Sequence, residues 1–260
     1  MAKTIFITGA GTGLGRGAAL GLAEKGHRVI ATTELTSQKT DLLREVENRG
    51  LDMEVFKLDI ANPLDLEQME KYDFDVFVAN AAINEGGPLG EVPMERFRAL
   101  FEINVFATLE TAQIAARKLV KRGSGKIVFM SSMAGISATP YVGPYTATKH
   151  ALEGIAQTMK SELEEFGVKV ATINPGPYAT GFNKRAAEEK WKWFDEEKHF
   201  TRKEAMIEQE EQLKEFHPED MIEKMVEIIP ADDHKFRTVY PEETEKQLKE
   251  TEQERWSMRI

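Results

Sequence analysis

The sequence predicts an α/β fold: one doubly wound domain on a mostly parallel sheet of about seven strands, with helices on both faces. Three observations carry that expectation. Short β-branched runs alternate with longer helical patterns along the chain, the signature of right-handed βαβ units. The strand candidates are nearly continuous apolar runs rather than alternating ones, which fits a parallel sheet buried on both faces. A glycine-rich run, Gly9 to Gly15, lies where the first strand meets the first helix.

The elements follow in order. Thr4–Thr8 reads as a strand and Leu14–Lys25 as a helix; Arg28–Thr33 is the second strand and Ser37–Arg49 its helix. Glu54–Leu58 is a third strand, followed by a short polar helix near Asp65–Lys71. Asp75–Asn80, Lys126–Ser131 and Val168–Asn174 are the fourth to sixth strands, separated by helices at Met94–Arg122 and Tyr145–Phe166. After Asn174 the texture changes. Residues 185–215 are dense in Lys and Glu, broken by Trp191, Trp193, Phe194 and Phe200. They read either as solvated amphipathic helices or as a substrate lid near 183–217 with its aromatic face over a cleft. A helix at Pro218–Ile229 leads to a strand candidate at Phe236–Tyr240. The charged tail near 242–260 is expected to fray or to dock on a partner subunit. No internal repeat or Gly/Ser-rich linker divides the chain, so residues 1–260 are read as a single domain.

Composition narrows the function. At 260 residues with 41% hydrophobic content, the chain can build a substantial core. A net charge of −10 argues against a nucleic-acid footprint and against docking on an anionic membrane. There is no cysteine, which excludes disulfides, thiolate catalysis and Cys-ligated metal. No apolar run approaches the roughly 18–20 residues of a membrane span. The first residues enter a strand at once and leave no room for a signal peptide. A cytoplasmic protein is expected. His27, His150, His199, His217 and His234 lack metal-ligand spacing, and no metal site is expected.

Two motifs carry chemistry. Thr8-Gly9-Ala10-Gly11-Thr12-Gly13-Leu14-Gly15 joins a strand to a helix. Glycine permits positive φ and close backbone approach, and a helix N-terminus offers free N–H groups to a pyrophosphate. That context is the one a Rossmann-like dinucleotide site requires. Further on, Tyr145 and Lys149 are four residues apart, so on a helix they share a face. A fixed ammonium near a phenol favours phenolate, and such a tyrosine exchanges protons with an alcohol or carbonyl near neutral pH.

The Thr-Gly-x-x-x-Gly-x-Gly loop together with Tyr145-x-x-x-Lys149 resembles the short-chain dehydrogenase/reductase family. Ser132, thirteen positions before Tyr145, matches that family's catalytic serine, and Asn104 its helix asparagine. Asp59-Ile60 resembles the pair that contacts adenine, Asn80-Ala81-Ala82 the element beside the adenine ribose, and Pro175-Gly176 with Thr180 the loop at the nicotinamide carboxamide. The likeness is dense over residues 4–182. Ala79 and Ala82 depart from it, replacing the usual Asn and Gly of the fourth-strand element.

The resemblance implies an NAD(P)-dependent oxidoreductase acting on an alcohol/carbonyl pair. Ser132 would bind the substrate oxygen, Tyr145 would act as general acid/base, Lys149 would lower the Tyr145 pKa and hold the nicotinamide ribose, and Asn104 would keep a water in line from Lys149 to solvent. The cofactor would lie on Gly9, Gly11, Thr12, Gly13, Leu14, Gly15, Thr33, Glu34, Asp59, Ile60, Asn80, Ala81, Ala82, Tyr145, Lys149, Pro175, Gly176 and Thr180. At the second strand's end, Glu34 suits a ribose 2′-hydroxyl and would repel a 2′-phosphate, which favours NAD over NADP; Glu34 as a merely solvated residue is the other reading, and Arg16 is the residue most able to reverse the preference. Asn84, Glu85, Met133, Ala134, Tyr141, Tyr178 and Phe182 are the candidate substrate lining, and suggest a medium-sized secondary alcohol or ketone. The helices Met94–Arg122 and Tyr145–Phe166 match those that family members pair between subunits, implying a homodimer or homotetramer. Two other readings stand beside this one: a catalytically silent dinucleotide-binding regulator or scaffold, and a lyase or dehalogenase that uses Ser and Tyr without redox.

Overall fold

In the computed structural model, which describes residues 1–259, seven strands form one sheet in the order β3-β2-β1-β4-β5-β6-β7. They are β1 (Thr4–Ile7), β2 (Arg28–Thr33), β3 (Met53–Lys57), β4 (Val76–Ala79), β5 (Gly125–Met130), β6 (Val168–Pro175) and β7 (Arg237–Tyr240). Every pairing is parallel, so the sheet is wholly rather than mostly parallel. The continuous apolar runs now have a cause. Ile5 and Ile7 of β1 face one helical layer while Phe6 faces the other, and β2, β4 and β5 divide their residues the same way. Period-two alternation with helices on both faces requires apolar residues at every position.

One layer holds α1 (Gly13–Glu24), α2 (Thr36–Arg49) and α9 (Pro218–Ile228), contributing Ala18, Leu22, Leu42, Met221 and Met225 to the core. The α9 helix lies close on α1 because Gly17 and Gly21 leave room for Ile222 and Val226; a Cβ at Gly17 would come within 2.2 Å of Ile222 Cδ1. The other layer holds the short α3 (Pro63–Leu66), α4 (Met94–Phe101), α5 (Thr108–Arg122) and α6 (Gly143–Leu163), burying Leu119, Leu152 and Met159. Among the described residues no helix is long and apolar enough to cross a membrane.

Two expectations are corrected. The helix expected over Met94–Arg122 is interrupted by a π-helical turn, Glu102–Ala107, between α4 and α5. The wider turn rotates Asn104 inward, where it is 1% exposed, and the Thr108 hydroxyl donates to the Ile103 carbonyl at 3.0 Å. Single π turns of this kind occur most often at functional sites. The charged tail does not fray: Glu242–Trp256 forms α10, with Thr244 and Leu248 buried. Glu242, Glu243 and Glu245 occupy its first turn, where carboxylates complement the helix dipole. Lys249 pairs with Glu245 at 2.6 Å, and Arg255 donates to the Ala138 carbonyl at 2.6 Å. Residue 260 of that tail lies outside the described residues.

Between these, the segment read as amphipathic helices or a lid is two helices, α7 (Phe182–Lys190) and α8 (Lys203–Gln212).

Candidate active site

The order of strands reverses between β1 and β4, and in parallel α/β sheets a ligand crevice opens at the carboxyl ends of such strands. Here that crevice is built tightly. Thr8 Oγ1 accepts from the backbone N–H of Asn80 (3.0 Å) and Ala81 (3.2 Å). The Asn80 amide donates to the carbonyls of Thr8 and Gly9, both at 2.9 Å. Gly9 has φ +67°, and a Cβ there would lie 2.6 Å from Ala81 Cα; one at Gly15 would lie 2.3 Å from Asn80 Nδ2. Thr12 is the N-cap of α1, Gly11 abuts Gln38, and Gly13 lies under Thr180. Leu14 turns into the core. Asn80, expected beside the adenine ribose, uses its side-chain NH2 group to lock the glycine loop to the end of β4.

At the ends of β2 and β3, Thr33 is buried and its hydroxyl donates to the Leu35 carbonyl at 3.2 Å. Glu34 is exposed. Arg16 is held by Glu45, donating through Nε at 3.0 Å and also through Nη2. The guanidinium holds the Glu45 carboxyl below its usual range, with Arg49 adding to the effect against the opposing push of burial. Lys57 is likewise paired, with Asp65. Asp65 Oδ2 accepts the Asp59 N–H at 2.8 Å, Asp59 Oδ1 accepts from the Ala61 N–H at 3.0 Å, and Ile60 is buried.

Ser132 follows β5 and caps a short turn, accepting from the Ala134 N–H at 3.1 Å. Tyr145 and Lys149 stand on the first turns of α6, 8% and 3% exposed. Lys149 Nζ donates to the Met130 carbonyl at 2.7 Å and lies 5.5 Å from the Tyr145 ring centroid. Burial pushes the Tyr145 phenol above its ordinary value, and the neighbouring Ser132 hydroxyl pulls it back. Ser132 thus opposes burial at Tyr145, and the Lys149 ammonium stands close to the same ring. Burial brings Lys149 down to about 8, with Glu153 pulling it up. His150 is exposed, one place out of phase with the pair.

Asn104 clamps the chain after β4. Its Oδ1 accepts the Ile83 N–H and its Nδ2 donates to the Ile83 carbonyl, both at 2.9 Å, and Nδ2 also reaches Thr148 Oγ1 at 3.2 Å. Its side-chain amide is thus engaged with protein. Ala81 and Ala82, small and partly buried, line the same β4 end. Pro175 pairs with Tyr240 across β6 and β7, and the Gly176 N–H donates to the Tyr240 carbonyl at 3.0 Å.

The segment after Thr180 folds back over the site. Phe182 sets its ring edge-on to Tyr145, centroids 5.8 Å apart. Beyond α7, Trp193 Nε1 donates to Glu85 Oε1 at 3.0 Å, its ring resting on Gly87. Arg96 ties Glu85 (3.0 Å) to Glu189 (3.3 Å), and Glu91 accepts the N–H groups of Phe200 and Thr201. Glu85, expected to line the substrate, has its carboxylate bonded to Trp193 and Arg96. Tyr178, also expected there, is buried in the core with its hydroxyl donating to the Tyr240 carbonyl at 3.2 Å. Met133, Ala134 and Asn84 remain partly buried beside the site. Tyr141 has φ +62° and its carbonyl accepts the Gly87 N–H at 2.8 Å. Sequence reading missed the roles of the Thr8 hydroxyl, of Arg96 and of Glu153, and the partner of Trp193; Thr8 lay inside the glycine motif and Trp193 among the aromatic residues of the segment already singled out.

Comparison with known proteins places these features in a family. The family model for short chain dehydrogenase matches residues 3–191. An uncharacterised oxidoreductase of Bacillus subtilis is 35% identical over 186 residues, 68% of this chain and 66% of that protein, so the match falls just short of two thirds of the relative's length. A diacetyl reductase, (S)-acetoin forming, of Staphylococcus epidermidis is 33% identical over 204 residues, 76% of each chain. The crystal structure of a short chain dehydrogenase/reductase from Burkholderia phymatum, in complex with NAD, superposes with a TM-score of 0.81 at 20% identity, covering 95% of this chain and 92% of that one.

Proposed function

This chain belongs to the short-chain dehydrogenase family of NAD(P)-dependent oxidoreductases, and from that premise we propose that it interconverts a secondary alcohol and a ketone with Tyr145 as general acid/base. The observation that carries the reading is the buried pair Tyr145 and Lys149 on the first turns of α6, the ammonium 5.5 Å from the Tyr145 ring centroid and held by the Met130 carbonyl, beside a glycine cradle too tight for any Cβ at Gly9 or Gly15. That cradle fits a dinucleotide: backbone at Gly9–Gly15 and the N-terminus of α1 would take the pyrophosphate, and Thr180 and Pro175-Gly176 would flank the nicotinamide. Bound there, the nicotinamide supplies the hydride in reduction and accepts it in oxidation.

The protein's own part is proton transfer and orientation. In reduction the substrate oxygen lies between the hydroxyls of Ser132 and Tyr145; Ser132 donates a hydrogen bond to it and Tyr145 Oη transfers its proton as the oxygen gains charge. Oxidation reverses the transfer. Tyr145 stays protonated at rest because burial opposes phenolate, which suits an acid. Lys149, fixed by the Met130 carbonyl, supplies the positive charge that stabilises phenolate once the proton has left. Phe182 excludes water from the phenol's flank.

NAD is the preferred cofactor in this reading: Glu34 closes β2, and the nearby cations Arg16 and Lys57 are already paired with Glu45 and Asp65. A small or medium ketone fits the aromatic flank, and the diacetyl reductase relative points the same way. Nothing in the relatives supports the alternative of a catalytically silent regulator. Association through the Met94–Arg122 segment is supported by Phe97, Phe101 and Phe106, whose rings are tilted against one another at 5.0 and 6.4 Å, with Phe106 56% exposed.

The test is Tyr145→Phe with a ketone found by screening NADH consumption. Turnover should fall by about two to four orders of magnitude while the cofactor dissociation constant holds. A variant that turns over at the wild-type rate removes Tyr145 from the mechanism.

A further inference from the structure

Glu153 is a buried carboxylate that the mechanism above does not use. It stands four residues after Lys149 on α6, on the same face, and is 3% exposed. Both oxygens are taken. Oε1 accepts from Asn174 Nδ2 at 2.6 Å, and Oε2 accepts from Arg237 Nε and Nη2 at 3.1 and 2.6 Å. Asn174 Nδ2 also donates to the backbone carbonyl of Ser132 at 2.9 Å, and Asn174 Oδ1 accepts from the Thr172 hydroxyl at 3.0 Å. One amide thus joins Ser132 to Glu153. Close approach supports the arrangement: a Cβ on Gly135, in the turn after Ser132, would meet Glu153 Cγ at 3.1 Å and the Lys149 carbonyl at 3.0 Å.

A buried charge is retained at a cost unless it is paired and hydrogen-bonded. Arg237 alone would satisfy Glu153 as a structural tie between α6 and β7. The surroundings of Lys149 suggest more. Lys149 Nζ donates to the neutral Met130 carbonyl of β5; on its own helix stand Tyr145 and Glu153, and Glu153 is bonded in turn to uncharged Asn174 of β6 and to Arg237 of β7. Of these, Glu153 is the opposite charge that acts on Lys149 against the effect of burial.

We propose that Glu153 is a positioning residue that keeps the Lys149 ammonium charged inside the protein, with Arg237 moderating its field and Asn174 coupling it to Ser132. The catalytic consequence rests on the proton-transfer reading of Tyr145 and Lys149. Removing the carboxylate takes away the opposite charge that favours the ammonium, so it loses its proton at lower pH. Removing Arg237 takes away a competing positive charge and unshields Glu153, so the ammonium persists to higher pH. A purely structural tie would not give these opposite signs.

The experiment compares Glu153→Gln and Arg237→Gln with the wild type. Glutamine at 153 keeps an acceptor for Asn174. The primary readout is the titration of the Lys149 side chain by 13C NMR in the cofactor-free protein, assigned with Lys149→Arg; the second is the pH profile of kcat/KM. Glu153→Gln should move the Lys149 midpoint down by about one pH unit or more, with the alkaline limb of kcat/KM following it. Arg237→Gln should move both upward. An unmoved Lys149 midpoint in either variant, or shifts of the same sign in both, overturns the proposal. If Glu153→Gln does not fold, the direction of the Arg237→Gln shift decides it alone. Should wild-type turnover prove independent of Tyr145, the catalytic reading fails, while the NMR titration still judges Glu153.

Discussion

Replacing Gly9 with alanine should injure the protein through two separable effects. Gly9 holds φ +67°, a region that costs an L-residue roughly 1–2 kcal/mol. Its new Cβ would also lie 2.6 Å from Ala81 Cα and 3.0 Å from Ala81 N. Those are backbone atoms of the β4 terminus and cannot swing aside, so a forced shift adds roughly 1–3 kcal/mol. Gly26 provides the control, since its φ is +82° and no atom lies within 4 Å of its would-be Cβ. Gly26→Ala therefore isolates the conformational cost, and the two variants should differ by about 1–3 kcal/mol. Urea unfolding reads the difference: with a slope of about 3 kcal/mol per molar, Gly9→Ala should unfold roughly 0.3–1 M earlier than Gly26→Ala. NADH titration should show Gly9→Ala weakened about tenfold or more, a loss of about 1.4 kcal/mol, with Gly26→Ala unaffected. Equal midpoints and equal affinities in the two variants would refute the claim that the cradle is closed by contact with β4.

Other predictions test other parts of the molecule. Fluorescence titration should show NADH binding more tightly than NADPH, with Glu34→Ala narrowing the gap; tighter binding of NADPH by the wild type would refute the role given to Glu34. Light scattering should give two or four times the 29.3 kDa chain mass, and Phe106→Glu should lower it; a wild-type monomer would end the case for association through the Met94–Arg122 segment. Leu248→Ala should destabilise the protein by about 2 kcal/mol, because α10 is docked through that side chain; an unchanged unfolding midpoint would restore the view of a frayed tail.

The sheet was legible because its determinants are local. Each strand from Thr4–Ile7 to Arg237–Tyr240 is a short apolar run whose ends lie within two residues of those expected, and glycine at the β1–α1 junction marks the phosphate loop wherever the rest of the chain goes. What escaped depends on long-range partners or on single-residue changes of pitch. The π turn at Glu102–Ala107 keeps an ordinary helical pattern on both sides, and the pair of hydrogen bonds it gives Asn104 with Ile83 spans 21 residues. Glu85 looked like a pocket residue because nothing near it in sequence announces Trp193, 108 positions on. Tyr178 was assigned to the substrate by its place after Pro175-Gly176; the core claims it because the chain turns inward there to meet Tyr240. The α10 helix was hidden by its charge, since only Thr244 and Leu248 supply its buried side. Ser132, Tyr145 and Lys149 were readable as motif positions, but the balance of burial against neighbouring charge that sets their protonation depends on packing.

The lock between Asn80 and the glycine loop bears on the order in which a growing chain acquires its parts. Gly9 to Gly15 leave the ribosome well before Asn80, yet the two carbonyls that Asn80 fixes belong to Thr8 and Gly9, about seventy residues earlier. β1 is central in the sheet, and its partner β4 is as distant along the chain as that amide. Parallel pairing of this kind closes long loops before any contact rewards it and is intrinsically slow. The nascent chain must therefore carry an unformed nucleotide cradle, with the apolar edge of β1 uncovered, until the fourth strand has been made. Over that interval the stretch from β1 to β4 is exposed to mispairing, and dinucleotide cannot rescue it.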